Sequence, residues 1–186
     1  MFTEDPRGFC LRTLLSRARF LALGLLLPTA AASGSVFAQD APVPAEIQAV
    51  IFKKVFAYVR TLSTGTSPPV VILYDEASTK SMNEIRKAFE QVNIETIAVQ
   101  EADLTNRIRE GSVVYLATPR GSFRQVLQKN RTLSITGFPA LVQRGEASIG
   151  LALQDSKPKI VVNLTALKAE GHEVASNLLQ LAQVIQ

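Results

Sequence analysis

The sequence predicts an α/β fold: a mostly parallel but mixed sheet flanked by helices, with a C-terminal β-hairpin and a closing helix. Three observations carry this. Val70–Tyr74 and Val113–Ala117 are short, continuous, β-branched apolar runs, of the kind found in strands buried on both faces. Such runs alternate with segments of helical character, the order that produces parallel strands joined by helices. Near the C-terminus, Ile149, Leu151 and Leu153 alternate with Gly150, Ala152 and Gln154, and Ile160, Val162 and Leu164 alternate with Val161 and Asn163. A period of two on either side of Asp155-Ser156-Lys157-Pro158 predicts an antiparallel hairpin.

Residues 1–38 are set aside as a signal peptide. Arg7, Arg12, Arg17 and Arg19 form a basic n-region, Phe20–Leu27 an apolar core, and Val36-Phe37-Ala38 a small-x-small site, which places cleavage after Ala38. The apolar run is about half the roughly 20 residues that span a bilayer; a retained signal anchor is the competing reading. Cys10, the only cysteine, precedes the apolar core, where a lipoprotein cysteine cannot lie. The expected product is exported to the periplasm, soluble and without a membrane anchor. Four of the 20 Lys+Arg and two of the 16 Asp+Glu fall in the leader, so half of the formal net charge of +4 belongs to it. No clustered basic face remains to suggest a nucleic-acid partner.

Residues 39–44 read as a linker, and 45–186 as a single domain large enough to bury its own core. Ala45–Leu62 is expected to be a helix. Ile47, Ile51, Val55, Tyr58 and Leu62 form one stripe, which Phe52, Val59 and Phe56 widen to roughly half the circumference. So wide an arc fits either a helix wedged between sheet and neighbouring helix, or one on which Phe52 and Phe56 face a partner or a second copy of the chain. Ser63–Pro69 is a loop by composition.

After Val70–Tyr74, Ser78 can cap a helix running to about Gln91, followed by a strand at Ile94–Val99 and a brief helix at Asp103–Glu110 stopped by Gly111. Beyond Val113–Ala117, Thr118–Ser122 leads into a helix ending near Asn130. Leu133–Thr136 is a fourth strand, and Gly137-Phe138-Pro139 opens a helical turn that finishes at Gly145. Asn163 is placed to cap a helix after the hairpin, Gly171 to adopt a left-handed backbone, and Leu178, Leu179 and Leu181 to seal the core.

The catalytic inventory is thin. His172 is the only histidine and reads as a partly exposed linker residue; one His without mature cysteine cannot build an ordinary zinc site. No nucleophile elbow, P-loop or dinucleotide fingerprint occurs. Neither a catalytic set, nor a metal, nor a cofactor is therefore expected. What remains is geometry, since ligands of open α/β sheets bind beyond the carboxyl ends of the strands. Asp75 follows the first strand there, and Thr118, Arg120 and Ser122 the third. Hydroxyls, a guanidinium and free amides at a helix start would suit a small anion; helix capping by the same residues is the plainer role.

The closing segment resembles the YfiR-like family (DUF4154 type). The resemblance rests on Ala147-Ser148-Ile149-Gly150-Leu151, on Lys159–Leu164 with Ala166, on Gly171, and on Ala175–Ala182, a strand ending in Asn-Leu followed by a Ser-x-Leu-Leu-x-Leu-Ala helix. The first helix matches more loosely. The resemblance implies a non-catalytic periplasmic regulator of cyclic-di-GMP and biofilm signalling. Its expected partner is the periplasmic domain of a membrane diguanylate cyclase or sensor kinase, and a homodimer is also implied. Two departures stand out. Thr61-Leu62-Ser63-Thr64 occupies the place of a frequent Trp-Pro, and the absence of mature cysteine removes redox control through disulfides. The competing readings are a periplasmic binder of small anionic ligands at Asp75, Thr118, Arg120 and Ser122, and more remotely a hydrolase.

Overall fold

The computed structural model describes residues 42–62 and 68–186. The expected signal peptide and most of the expected linker lie outside the described residues, as does most of the Ser63–Pro69 loop. Helix α1 (Ala45–Phe56) precedes strand β1 (Val70–Tyr74), helix α2 (Thr79–Gln91) and strand β2 (Thr96–Gln100). A 3-10 turn and short α3 (Leu104–Arg107) lead to β3 (Val113–Leu116), α4 (Arg124–Lys129), β4 (Leu133–Thr136) and α5 (Pro139–Gln143). The hairpin β5 (Ile149–Gln154) and β6 (Lys157–Asn163) is followed by α6 (Leu164–Ala169), α7 (Ser176–Leu181) and a last strand β7 (Gln183–Ile185).

The strands form one mixed sheet in the order β2-β1-β3-β4-β5-β6-β7. All neighbours run parallel except β5 and β6. The α/β class, the mixed sheet and the hairpin are thus as the sequence predicts. The hairpin turns on two residues, Asp155 and Ser156, both with positive φ (51° and 59°), as a type I′ turn requires. Lys157 and Pro158 already belong to β6, where Pro158 faces Leu153.

Two cores lie on opposite sides of the sheet, because alternate residues of each strand point to opposite faces. On one side Val70, Ile72, Val113, Tyr115 and Ile135 pack with α1 and α2. On the other Val71, Leu73, Val114 and Leu116 pack with residues of α3, α4 and α5. Phe52, Phe89 and Tyr115 form an aromatic cluster on the first side, with ring centroids 5.9 to 6.4 Å apart.

One expectation about the helices is corrected. α1 ends at Phe56 rather than Leu62, because tertiary bonds take over from the helical ladder. Val59 bridges Val174, Arg60 N donates to Glu173 O and Ala175 N donates to Tyr58 O. The C-terminal helix is present as α7; it stops at Leu181, and β7 then adds to the sheet beside β6. Leu178 is buried as expected, but Leu181 is 62% exposed. Asn163 Oδ1 accepts from Ala166 N at 2.9 Å and caps α6, and Gly171 has φ +78°, both as read from the sequence. Among the described residues no helix is long and apolar enough to cross a membrane.

Candidate functional site

β1 lies between β2 and β3 in the sheet, so the chain winds outward in both directions from it. The carboxyl ends of β1 and β3 therefore form the topological switch point, the usual ligand crevice of such sheets. Asp75 and Thr118 meet there, with Thr118 Oγ1 donating to Asp75 Oδ2 at 3.2 Å. The remaining bonds are structural. Ser78 N donates to Asp75 Oδ1 at 2.8 Å and Asp75 N donates to Ser78 Oγ at 2.9 Å, a capping box. Arg120 N donates to Thr118 Oγ1. Hydrogen bonds, led by that from the Ser78 side chain, hold the Asp75 carboxyl below its usual range and keep it ionised.

Glu101, which sequence reasoning passed over, joins this crevice from the end of β2. Burial first, and the charge of Asp75 second, raise its pKa. Its Oε1 is buried without a hydrogen-bond partner among the described residues. Two carboxyl groups thus face one another electrostatically where the sequence suggested an anion. Arg120 and Ser122 are exposed, and α4 begins only at Arg124 with no side-chain cap. Of the four anion candidates, the structure brings Asp75 and Thr118 together to brace two loops and leaves Arg120 and Ser122 outside that contact. The switch point is acidic, a poor seat for an anion.

The first helix also differs from expectation. Phe52 has no exposed surface and Phe56 is buried, so neither faces a partner; both fill the core under α1 and α2. The helix is rotated so that Ile47 and Val50 are exposed instead, and Tyr58 is exposed just beyond its end. Beside Tyr58 runs a surface groove of about 480 Å³, lined by Ile51 and Val55 of α1, Pro158 and Ile160 of β6, and Leu178 and Leu181 of α7. Among the described residues, Lys54 is the only charged one bordering it. A contiguous apolar surface of aromatic and branched side chains is the ordinary substance of a protein-binding patch.

Two buried polar groups beneath the C-terminal turn were not marked by any sequence motif. Glu170 accepts from Ser134 N (3.0 Å), Ser134 Oγ (2.5 Å) and Ser148 Oγ (2.5 Å), and burial pushes its pKa up to about 7. His172 is buried rather than partly exposed. Its Nδ1 lies 2.6 Å from Thr61 Oγ1 and its Nε2 3.1 Å from Arg131 O, so Nε2 carries the proton in the neutral ring and Nδ1 accepts from Thr61. Burial lowers its pKa. Together these bonds tie the turn at Gly171 to β4, β5 and the segment after α1.

Comparison with known proteins adds a family and a fold. The family model described as YfiR/HmsC-like (DUF4154) matches residues 45–183. No curated protein matches the chain by sequence. Among solved structures, a conserved domain protein from Vibrio cholerae O1 biovar El Tor str. N16961 is similar at TM-score 0.54 and 14% identity, over 77% of this chain and 60% of that one. An ABC domain from Streptococcus pneumonia, solved in complex with L-Trp, is similar at TM-score 0.56 and 13% identity, over 76% of this chain and 60% of that one. The chain thus spans three-fifths of the length of each, and at such identity the likeness is one of fold.

Proposed function

The chain belongs to the YfiR/HmsC-like family, and on that premise we propose that it is an exported, non-catalytic regulator that grips a membrane signalling protein. The family acts in periplasmic regulation rather than catalysis, and the leader-like residues 1–38 agree with that compartment. The partner in this reading is the periplasmic part of an inner-membrane diguanylate cyclase or sensor kinase, whose output the protein modulates. The observation that carries the reading is the apolar groove in which Tyr58, just past the end of α1, and Leu181 of α7 lie beside Ile51, Val55, Ile160 and Leu178, with Tyr58 and Leu181 exposed. Tyr58 and Leu181, both exposed at this groove, are costly to leave in water, at about 25 cal/mol per Å² of apolar surface, and covering them favours association.

The test is a membrane pull-down with the wild-type chain and with Tyr58→Asp and Leu181→Asp, coupled to cyclic-di-GMP measurement after deletion. The reading expects the wild type to recover a cyclase or sensor kinase, both variants to lose it while folding normally, and cyclic-di-GMP to change. Recovery of neither class, with cyclic-di-GMP unchanged, would sink the reading. A second copy of the chain could use the same patch, so the mass in solution is measured alongside. A dimer that Leu181→Asp converts to monomer would assign the patch to self-association and move the partner elsewhere.

A further inference from the structure

We propose that a second cleft, on the opposite side of the sheet from the α1–α7 groove, binds a small amphipathic anion. This goes beyond the partner reading and does not depend on it. The cleft, about 480 Å³, has walls that include Phe138, Leu141, Ala152 and Val161 and a polar side that includes Arg144 and Gln183. That size falls within the range of small-molecule sites, which are mostly apolar with a few placed polar groups.

The cleft exists for a readable reason. α5 is only five residues long, and it packs so closely on β5 that a Cβ at Gly150 would come within 2.5 Å of Val142 Cγ2. Glycine lets the short helix seat there. One step further along β5 the helix has ended, and Ala152 is too small to fill the space it leaves. Apolar sheet surface at Ala152 and Val161 consequently borders an open cavity, and Pro119 and Phe138 close it from the loops that follow β3 and β4.

Charge selects the occupant. Among the described residues, Arg144 is the only ionisable one lining the cleft. Its Nε and Nη2 each lie 3.3 Å from the Glu146 carboxylate, a half-exposed pair that orients the guanidinium at little energetic gain. Lys159 pairs with Ala152 across the hairpin, so both rise from the same face of the sheet. No ion pair among the described residues engages Lys159. Arg144 on the lining, with Lys159 one cross-strand position from Ala152 on the same face of the sheet, suits a molecule with a hydrocarbon or aromatic body and one carboxylate or sulfonate. Only Pro119 of the Thr118–Ser122 segment borders this cleft, so the anion site suggested by the sequence moves from the acidic switch point to the far side of α5.

The test is a fluorescence titration with 1-anilinonaphthalene-8-sulfonate and, separately, its uncharged parent 1-anilinonaphthalene, using protein expressed from the full sequence. The sulfonate should bind, and the uncharged parent should bind about tenfold more weakly. Ala152→Trp, which fills the cleft, should weaken sulfonate binding by at least about tenfold. Lys159→Glu, a surface change that leaves the cavity open, should weaken it comparably, and Leu181→Asp in the other groove should leave it unchanged. Circular dichroism establishes that each variant is folded; if Ala152→Trp is not, Lys159→Glu and the uncharged probe decide. A folded Ala152→Trp that binds as the wild type does, or loss on Leu181→Asp instead, would overturn the site. Equal affinity for the uncharged probe together with no effect of Lys159→Glu would overturn the anionic specificity.

Discussion

Ser134 and Glu170, 36 residues apart in sequence, are joined inside the core by a 2.5 Å hydrogen bond. The carboxyl group has three donors aimed at it, which favour its ionised form, yet burial outweighs them and raises its pKa from 4.5 to about 7. A folded-state pKa above the unfolded value means that the folded chain holds the proton more tightly. The stability it contributes is fully present below pH 4.5 and is lost as pH rises through about 7. A shift of this size corresponds to an order of 3 kcal/mol at most. Chemical denaturation at a series of pH values should therefore show the difference between wild type and Glu170→Gln changing across pH 4.5–7 and flat above it. A difference independent of pH would mean that the carboxyl titrates normally. Glu170→Ala should follow the same pH course as Glu170→Gln and be less stable than it by about 1–3 kcal/mol, since it leaves Ser134 N–H and two hydroxyls without an acceptor.

His172 works in the opposite direction. Its pKa is lowered chiefly by burial, so the folded chain resists its protonation. Stability from this group is present above the ordinary value of 6.5 and is lost as pH falls through the lowered folded value. His172→Gln keeps a donor and an acceptor near Arg131 O and Thr61 Oγ1 but cannot titrate. The variant should lose less stability than the wild type between pH 6.5 and 5, measured by urea midpoint. Equal losses would place the folded pKa at its ordinary value.

Buried Phe52 of α1 and exposed Leu181 of α7 give a sharper contrast. Phe52 is fully buried between Phe89 and Tyr115, so Phe52→Ala should cost about 3–5 kcal/mol through lost burial and a cavity. Leu181 is mostly exposed, and Leu181→Asp should change stability by no more than about 0.5 kcal/mol. Denaturant unfolding of the two variants checks both. If Leu181→Asp is the more damaging, the residue is covered in the free protein and the proposed partner surface is wrong.

That contrast also explains what could be read from the sequence. The strands were legible because β-branched runs such as Val70–Tyr74 and Val113–Leu116 have few alternatives to a doubly buried strand. The face of α1 was not, because apolar residues cover half its circumference and Phe52 and Ile47 differ too little in polarity to fix the rotation. Its end was misplaced because bonds from Arg60 to Glu173 and from Ala175 to Tyr58 link residues over a hundred positions apart. β7 has three residues, Gln183–Ile185, too few to display a period. The cleft beside α5 depends on how short that helix is, and Glu170 and His172 acquire their settings only from distant partners. Periodicity reports local structure, and these features are tertiary.

Asn163 is the one polar residue of the family-like closing segment whose role was visible in advance, and the structure gives it a second task. Besides capping α6 through Oδ1, its Nδ2 donates to Val142 O at 2.9 Å, which fastens the end of β6 to α5. A cap alone would accept several substitutes, since Asp and Ser cap as well as Asn. The bond to Val142 requires a donor on the same side chain. Asn163→Asp should preserve the cap but turn a buried carboxylate toward a carbonyl oxygen, so it is expected to cost about 3 kcal/mol or more at pH 7. Asn163→Ser, small enough to cap without confronting Val142, should cost about 1–2 kcal/mol. The order of the two in urea unfolding is the measurement that decides. An Asp variant as stable as the Ser variant would reduce Asn163 to a helix cap, and the tie between β6 and α5 to an incidental contact.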